Sequence, residues 1–293
     1  MLTRTIRFEA RLDLRSTLKP ITFPWGRFTD RGWVRPTRTP AGSATLLVRR
    51  DGDGIHGSAW GDGAEWVLDR LDGWVGLRDD PESFVPSGRL GELHRRRLGV
   101  RFACTGLVFE AALVAVLAQK VTGKEAVLGL RGLMARFSES APGPYKQLVL
   151  PPDPALLATA PYHSFHDLGI EKRRSDTVRR LAAESVRVDQ MAAMPSEAAA
   201  VALRRFPGVG EWTVAETVAV SHGDADALSV GDFHLKHLVS WHLTGRARGT
   251  DKLMVELLEP YRPHRGRVVR LLEAAGRYPS YGPRQPLRSF ATY

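Results

Sequence analysis

The stretch Leu203-Arg204-Arg205-Phe206-Pro207-Gly208-Val209-Gly210-Glu211-Trp212-Thr213-Val214-Ala215 decides how the rest of the chain is read. An apolar helix end runs into Pro-Gly-Val-Gly, and Thr213 soon opens a second helical run. Two glycines one residue apart allow a sharp backbone turn and close approach to a neighbour. The first peptide N–H groups of the second helix lack intrahelical acceptors. With the positive end of the helix dipole, they favour an anion such as a phosphate. Nineteen residues beyond Thr213, Val230-Gly231-Asp232-Phe233-His234-Leu235-Lys236 sets one carboxylate, Asp232, ahead of another apolar run.

Composition sets the bounds. At 293 residues the chain is long enough for one large domain or two modest ones with proper cores. Its 43% hydrophobic and 25% charged residues are ordinary for a globular protein. The net charge of +10, mostly from arginine, suits a polyanionic partner, although charge bears on association and not on fold. A single cysteine, Cys104, excludes disulfides within the chain and points to a reducing compartment. Residues 1–15 are charged throughout, unlike a secretory signal, and the apolar run Ala111–Ala118 is far too short to span a bilayer. The expected location is cytoplasmic, associated with the nucleoid, with no membrane contact.

Working outward, residues 4–12 alternate, with Ile6, Phe8, Ala10 and Leu12 on one side, as in a half-buried strand. Gly32–Arg35, Ser43–Arg50 and Ile55–Ala59 read as further strands between Pro/Gly/Asp turns, and Ala64–Leu71 as a short helix. Gly73–Phe84 reads as a loop, and from Gly88 the pattern turns helical. Leu107–Val121, apolar nearly all round, reads as a buried central helix with Gly123 as its stop. Lys124–Phe137 reads as a helix, Ser138–Pro154 as a loop, and Glu171–Asp176 as the basic start of another helix. That basic start is either a solvated face or a second phosphate contact. The first hairpin helix reads Ser196–Arg205 with Ser196 as N-cap, followed later by Phe233–Leu243, Asp251–Leu258 and Val268–Ala275. The tail from Gly276 reads as extended.

The hairpin stretch joined to Asp232 resembles the motif of the helix–hairpin–helix DNA glycosylase superfamily: L/F-P-G-V/I-G-x-x-T-A, then a catalytic aspartate about twenty residues on. Bifunctional members carry a lysine just before the motif threonine, where this chain has Trp212, so the amine that would attack the sugar is missing. Members with an iron–sulfur cluster need four cysteines. The chain is therefore most similar to the alkylation-specific branch, 3-methyladenine DNA glycosylase II. The resemblance covers roughly residues 100–275. It implies Asp232 as catalytic residue and a DNA-backbone grip from Pro207, Gly208, Val209, Gly210, Glu211 and Thr213. It also implies a wedge into the duplex around Gln119 and Lys120. Lys120 is not the apolar wedge of relatives: either its stem fills the gap while its amine reaches a phosphate, or a neighbouring loop does the wedging.

The chemistry agrees with that resemblance. Breaking an N-glycosidic bond builds positive charge on the sugar, which one carboxylate near the anomeric carbon stabilises. Asp232 can do this and also cap the helix that follows it. Alkylated purines already carry positive charge, leave as neutral bases, and stack well on aromatic faces. Trp212 matches a pocket tryptophan of relatives and Tyr261 lies near a second aromatic, whereas Phe109 and Trp241 read as core. Neutral lesions would need a proton donor in the pocket, for which Glu216, one turn past Trp212, is the candidate. His234, His237, His242 and His264 lack the spacing of a zinc site, so no metal held by side chains is expected. The carbonyls of Gly208 and Gly210 are candidates to hold a monovalent cation, as relatives do, and no other cofactor is implied.

The expected fold is α+β: an N-terminal antiparallel β-sheet domain over residues 1–75, packed on a mainly α-helical glycosylase domain over residues 76–293. The expected partner is double-stranded DNA containing damaged bases, bound by a monomer. The expected activity is hydrolytic excision of alkylated purines. The rivals are a monofunctional glycosylase for deaminated or oxidised bases and a non-catalytic DNA-damage-binding module.

Overall fold

The computed structural model describes residues 1–9 and 11–276. Ala10, placed by the alternation on the inner face of the first strand, and the tail beyond Gly276 lie outside the described residues. Among the described residues, β1 (Leu2–Arg7), β2 (Arg27–Thr29), β3 (Gly32–Thr39), β4 (Gly42–Asp51) and β5 (Gly54–Trp60) form one antiparallel sheet in the order β1-β5-β4-β3-β2. β1 is an edge strand and is more exposed than its alternation implies; within it only Ile6 is partly buried.

Three short helices cover one face of the sheet: α1 (Leu14–Thr22), α2 (Ala64–Asp69) and α3 (Leu71–Trp74). α1 has no counterpart in the sequence reading, and Pro20 stands inside it. The proline falls in the last turn, and Asp13 Oδ1 caps the start by accepting from the Ser16 N–H at 3.0 Å. The other face is covered by the 138–150 loop, whose Ala141, Tyr145 and Leu148 pack on Val34 and Leu47. Burial on both faces explains why the middle of β4 is an apolar run, and why β3 buries Arg35 and Thr37 as well as Trp33 and Val34.

The helical part comprises α4 (Gly88–Arg95), α5 (Val108–Leu117), α6 (Gly123–Phe137), α7 (Pro154–Thr159), α8 (His163–His166), α9 (Lys172–Ala183), α10 (Ser185–Gln190), α11 (Ser196–Leu203), α12 (Glu211–Ser221), α13 (Leu235–Thr244), α14 (Asp251–Leu258) and α15 (Arg265–Ala274). The protein is thus α+β, as its sequence implied. The helices build two cores. One surrounds α5 with α6, α7 and α9 to α12, and the other joins α4, α13, α14 and α15.

α5 is buried on nearly all sides and is fastened to the sheet by charge as well as packing. Arg35 and Thr37, two apart on β3, both reach Glu110, which lies inside the protein. A buried pair of this kind contributes little net stability, but removing either partner strands the other charge.

Gly123 does not stop this helix. α5 ends at Leu117, and Lys120 takes the left-handed turn with φ of 54°. Gly123 instead begins α6. Thr122 accepts from the Glu125 N–H while Glu125 accepts from the Thr122 N–H, a reciprocal capping box. Ser196 is likewise not an N-cap: it is the first residue of α11, and its hydroxyl donates to Asp224.

Candidate active site

α11 and α12 are the two arms of the hairpin, and Arg204–Gly210 is its turn. Gly208 sits at φ +96°, a backbone region that L side chains rarely adopt, and a Cβ there would fall 2.0 Å from Thr177 Oγ1 on α9. Its backbone is therefore pressed onto α9, where the Thr177 hydroxyl and Arg180 also reach the Pro207 carbonyl, each at 3.4 Å. Gly210, the N-cap position of α12, is the opposite case. Its φ is −98°, and a Cβ added there would meet nothing within 4 Å. One glycine is needed for packing, and the other leaves an open face at the helix N-terminus.

The residues assigned to the backbone grip do not all face outward. Val209 and Thr213 are buried, at 7% and 2% exposure, while Glu211 is exposed. Thr213 is an internal pin: its hydroxyl oxygen accepts from Gln119 Nε2 at 2.7 Å, and the same amide donates to the Gly208 carbonyl at 2.9 Å. Gln119, which falls in the expected wedge region, is drawn inward here. Its side chain ties the end of the central helix to the hairpin from inside. Lys120, next in the chain, is exposed at the corner of the left-handed turn.

The cation expectation meets a difficulty here. The Gly208 carbonyl already accepts from Gln119, and the Gly210 carbonyl accepts from the Val214 N–H as the first bond of α12. Each oxygen accepts one protein N–H bond, so a cation would have to use its second lone pair. Among the described residues, no group of three or more His, Cys, Asp or Glu is arranged to hold a metal. The His237 ring nitrogen accepts from the Gly249 N–H, and His264 faces the Ser83 hydroxyl at 3.1 Å.

Trp212 and Asp232 meet. The indole Nε1 donates to Asp232 Oδ2 at 3.1 Å, and Asp232 Oδ1 accepts from the backbone N–H groups of His234 and Leu235 at 2.7 and 3.0 Å. Asp232 caps the start of α13, and three N–H donors fix its carboxylate. The preceding Gly231 lies at φ +91°, and its N–H is held by Asp251 at the start of α14. Because α12 belongs to the first helical core and α13 to the second, this bond crosses the junction between them.

Glu216 lies one turn beyond Trp212. The Ser229 hydroxyl donates to its Oε1, and the Ser229 carbonyl accepts from the Asp232 N–H, so both carboxylates are referenced to one residue. Burial pushes the Glu216 carboxyl up. The Ser229 bond opposes that, the charge of Asp232 adds to it, and Arg270 on α15 opposes it.

Tyr261 is half-buried. It lies in a turn after α14, packs into the second helical core, and meets Phe84 edge-on at 6.3 Å. Phe109 is core as expected, at 5% exposure, but Trp241 is exposed at 38%.

No protein-family model matches the chain, and no curated protein does. Solved structures do. A 3-methyladenine DNA-glycosylase from Archaeoglobus fulgidus superposes with a TM-score of 0.76 at 17% identity, covering 92% of this chain and 96% of that one. This is the fold of the helix–hairpin–helix DNA glycosylases. An 8-oxoguanine glycosylase/lyase from Clostridium acetobutylicum has the same glycosylase fold, with a TM-score of 0.71 at 11% identity over 92% of this chain and 95% of that one. A Schizosaccharomyces pombe 3-methyladenine DNA glycosylase in complex with abasic DNA gives 0.53 at 14%, over 69% and 98%. The two longer matches take in the N-terminal sheet as well as the helices, so the sheet layer is part of the glycosylase fold. Among the described residues, no helix is long and apolar enough to cross a membrane.

Proposed function

We propose that this chain is a monofunctional DNA glycosylase that excises alkylated purines from double-stranded DNA by hydrolysing the N-glycosidic bond. The observation that carries the reading is the bond from Trp212 to Asp232 directly behind the hairpin turn. It puts an oriented carboxylate beside the element suited to hold the DNA backbone, and an aromatic ring at the position where a lyase would need an amine.

The steps follow from these residues. The open N-terminus of α12 at Gly210 receives a phosphate. Lys120, exposed on its left-handed turn, enters the space the base vacates, and the damaged base turns into the site. The C1′–N bond breaks with its electron pair on the base, so a cationic alkylpurine leaves neutral. Asp232 stabilises the positive sugar. Water then bonds to C1′ and loses its proton to the carboxylate, leaving an abasic site. Asp232, Glu216 and Glu273 act on one another electrostatically, with Arg270 as the cation among them. A carboxylate held at the sugar favours a cationic base over a neutral one.

A second reading has its own observation. The raised Glu216 carboxyl holds a proton at higher pH than an ordinary glutamate and could donate it to a neutral leaving base, which would extend the substrates to deaminated or oxidised bases.

The test is base release from methylating-agent-treated duplex DNA by wild type and Asp232→Asn, with and without later alkali. Release by wild type, strand breaks only after alkali, and a mutant that binds DNA but releases nothing are expected. Release only from hypoxanthine- or uracil-containing DNA would move the assignment to the second reading. Binding with no release from any substrate would leave a non-catalytic module.

A further inference from the structure

A basic groove runs along α9 beside the hairpin turn. It opens as a hollow of about 440 Å³ between Lys172, Arg173, Thr177 and Arg180 on α9 and Gly208 of the turn. A second hollow of about 280 Å³ adjoins it, shares Arg180 and adds Arg179. These four cations have one carboxylate among them. Asp176 pairs with Lys172 at 3.0 Å and lies 3.9 Å from Arg179, so it is already engaged. Arg173 is exposed, and its guanidinium makes no hydrogen bond, ion pair or ring contact among the described residues. Arg180 is also exposed and has only the long 3.4 Å contact to the Pro207 carbonyl. Arg179 Nε is buried without a hydrogen-bond partner among the described residues. Nor do these cations serve their own helix. Lys172 and Arg173 begin α9, where the helix dipole disfavours positive charge. A groove of unused donors with this sign fits an anion that offers several oxygen acceptors.

We propose that this groove holds consecutive backbone phosphates of the DNA strand that crosses the hairpin, as a second grip separate from the N-terminus of α12. The inference rests on the DNA partner of the glycosylase reading and not on its chemistry. The turn itself links the two grips. Gly208 walls the groove and Gly210 opens α12, two residues on and so at most about 7 Å away. A strand held at Gly210 therefore runs into the groove within a few nucleotides. Arg173 and Arg180 are seven residues apart, roughly 10 Å of helix, which is about three nucleotide rises of one strand. Guanidinium forks grip phosphate oxygens in pairs. The wall is also fixed before DNA arrives. With no side chain at Gly208 the turn closes directly on Thr177, where a Cβ would stand 2.0 Å from the hydroxyl oxygen. A preformed groove loses little to ordering when it binds. Phosphate contacts carry no base information, so their role here is to fix where along the strand the carboxylate of Asp232 falls.

The experiment measures the affinity of the full chain for a duplex carrying a stable abasic-site analogue, by fluorescence anisotropy over a range of salt concentrations. It compares wild type, Arg173→Ala/Arg180→Ala, and Arg27→Ala/Arg31→Ala, which removes two exposed arginines from the sheet. The α9 variant should bind about tenfold more weakly, and the slope of log affinity against log salt should fall by about two. The sheet variant should lose less than about threefold. Replacing single phosphates by neutral methylphosphonates should then mark two or three consecutive positions on one strand that weaken wild type and leave the α9 variant unaffected. Arg173→Ala alone removes no contact within the protein, so it decides the matter if the double variant melts early, with a slope change of about one. An unchanged slope, an equal loss in the sheet variant, or the same phosphate scan in wild type and α9 variant overturns the groove and leaves the glycosylase reading intact. The expected scan with no base released from any substrate overturns the glycosylase chemistry and leaves the groove. Failure of wild type to bind DNA overturns both.

Discussion

The indole N–H of Trp212 donates to the carboxylate of Asp232 at 3.1 Å, joining the second arm of the hairpin to the start of α13. The remaining oxygen of Asp232 is occupied by two backbone N–H groups. One aspartate therefore serves as helix cap and as the carboxylate aimed at the site, and its aim depends on Trp212. Trp212→Phe keeps the ring and removes the donor. Base release should fall about tenfold, the size of one lost hydrogen bond of about 1.5 kcal/mol. DNA affinity should stay within twofold, as read by fluorescence anisotropy, and a drop in affinity matching the drop in rate would show that the indole acts on binding instead.

The two hairpin glycines should respond oppositely to one methyl group. Gly208→Ala is strained by its φ of +96° and clashes with Thr177, so it should lower the melting temperature by several degrees. Gly210→Ala has room and ordinary backbone angles, so its melting temperature should stay within about one degree. Its DNA affinity should nevertheless fall, because the methyl occupies the approach of the phosphate. Unchanged affinity for Gly210→Ala would mean that the backbone is held elsewhere.

Gln119 links α5 to the hairpin through Gly208 and Thr213. Gln119→Leu keeps the volume but leaves the Thr213 hydroxyl without this partner, and Thr213 is 2% exposed. The expected cost is about 1–3 kcal/mol in urea unfolding, with weakened DNA binding as the hairpin loosens. A residue that acted only as a wedge would lower base release and leave stability alone.

Asp189 supplies a pH test. Its carboxylate accepts from the Phe109 N–H at 2.9 Å, and burial raises its pKa from 3.8 to about 6, with Glu110 adding to the rise. The folded protein holds this proton more tightly than the unfolded chain does, so the group stabilises at low pH. That contribution is full below about 4 and is lost as pH rises through 6. Asp189→Asn keeps an acceptor for Phe109 and removes the titration. The variant should exceed wild type at pH 8 by on the order of 2 kcal/mol in urea unfolding, with the gap closing toward pH 4. A gap that does not change with pH would mean that Asp189 is not the titrating group.

Much of this protein was legible in its sequence because the signals are local. Pro-Gly-Val-Gly encodes a turn wherever it stands, the apolar run of α5 encodes burial, and the distance to Asp232 survives any folding of the residues between. Even some local signals were misread. Thr122 and Glu125 spell a capping box that makes Gly123 a helix start and not a stop, and Asp13 caps α1 although Pro20 stands inside it. Trp241 reads as core but is exposed, because a side chain is buried by its neighbours and not by its own polarity. The pin made by Gln119, the meeting of Trp212 with Asp232, and the guanidinium of Arg270 over Phe102 depend on partners 89, 20 and 168 residues away in the chain. Sequence spacing sets which groups a chain owns and the periodicity of its elements. The packing of α5, α12, α13 and α15 sets which of those groups come within the few ångströms where hydrogen bonds and charges act.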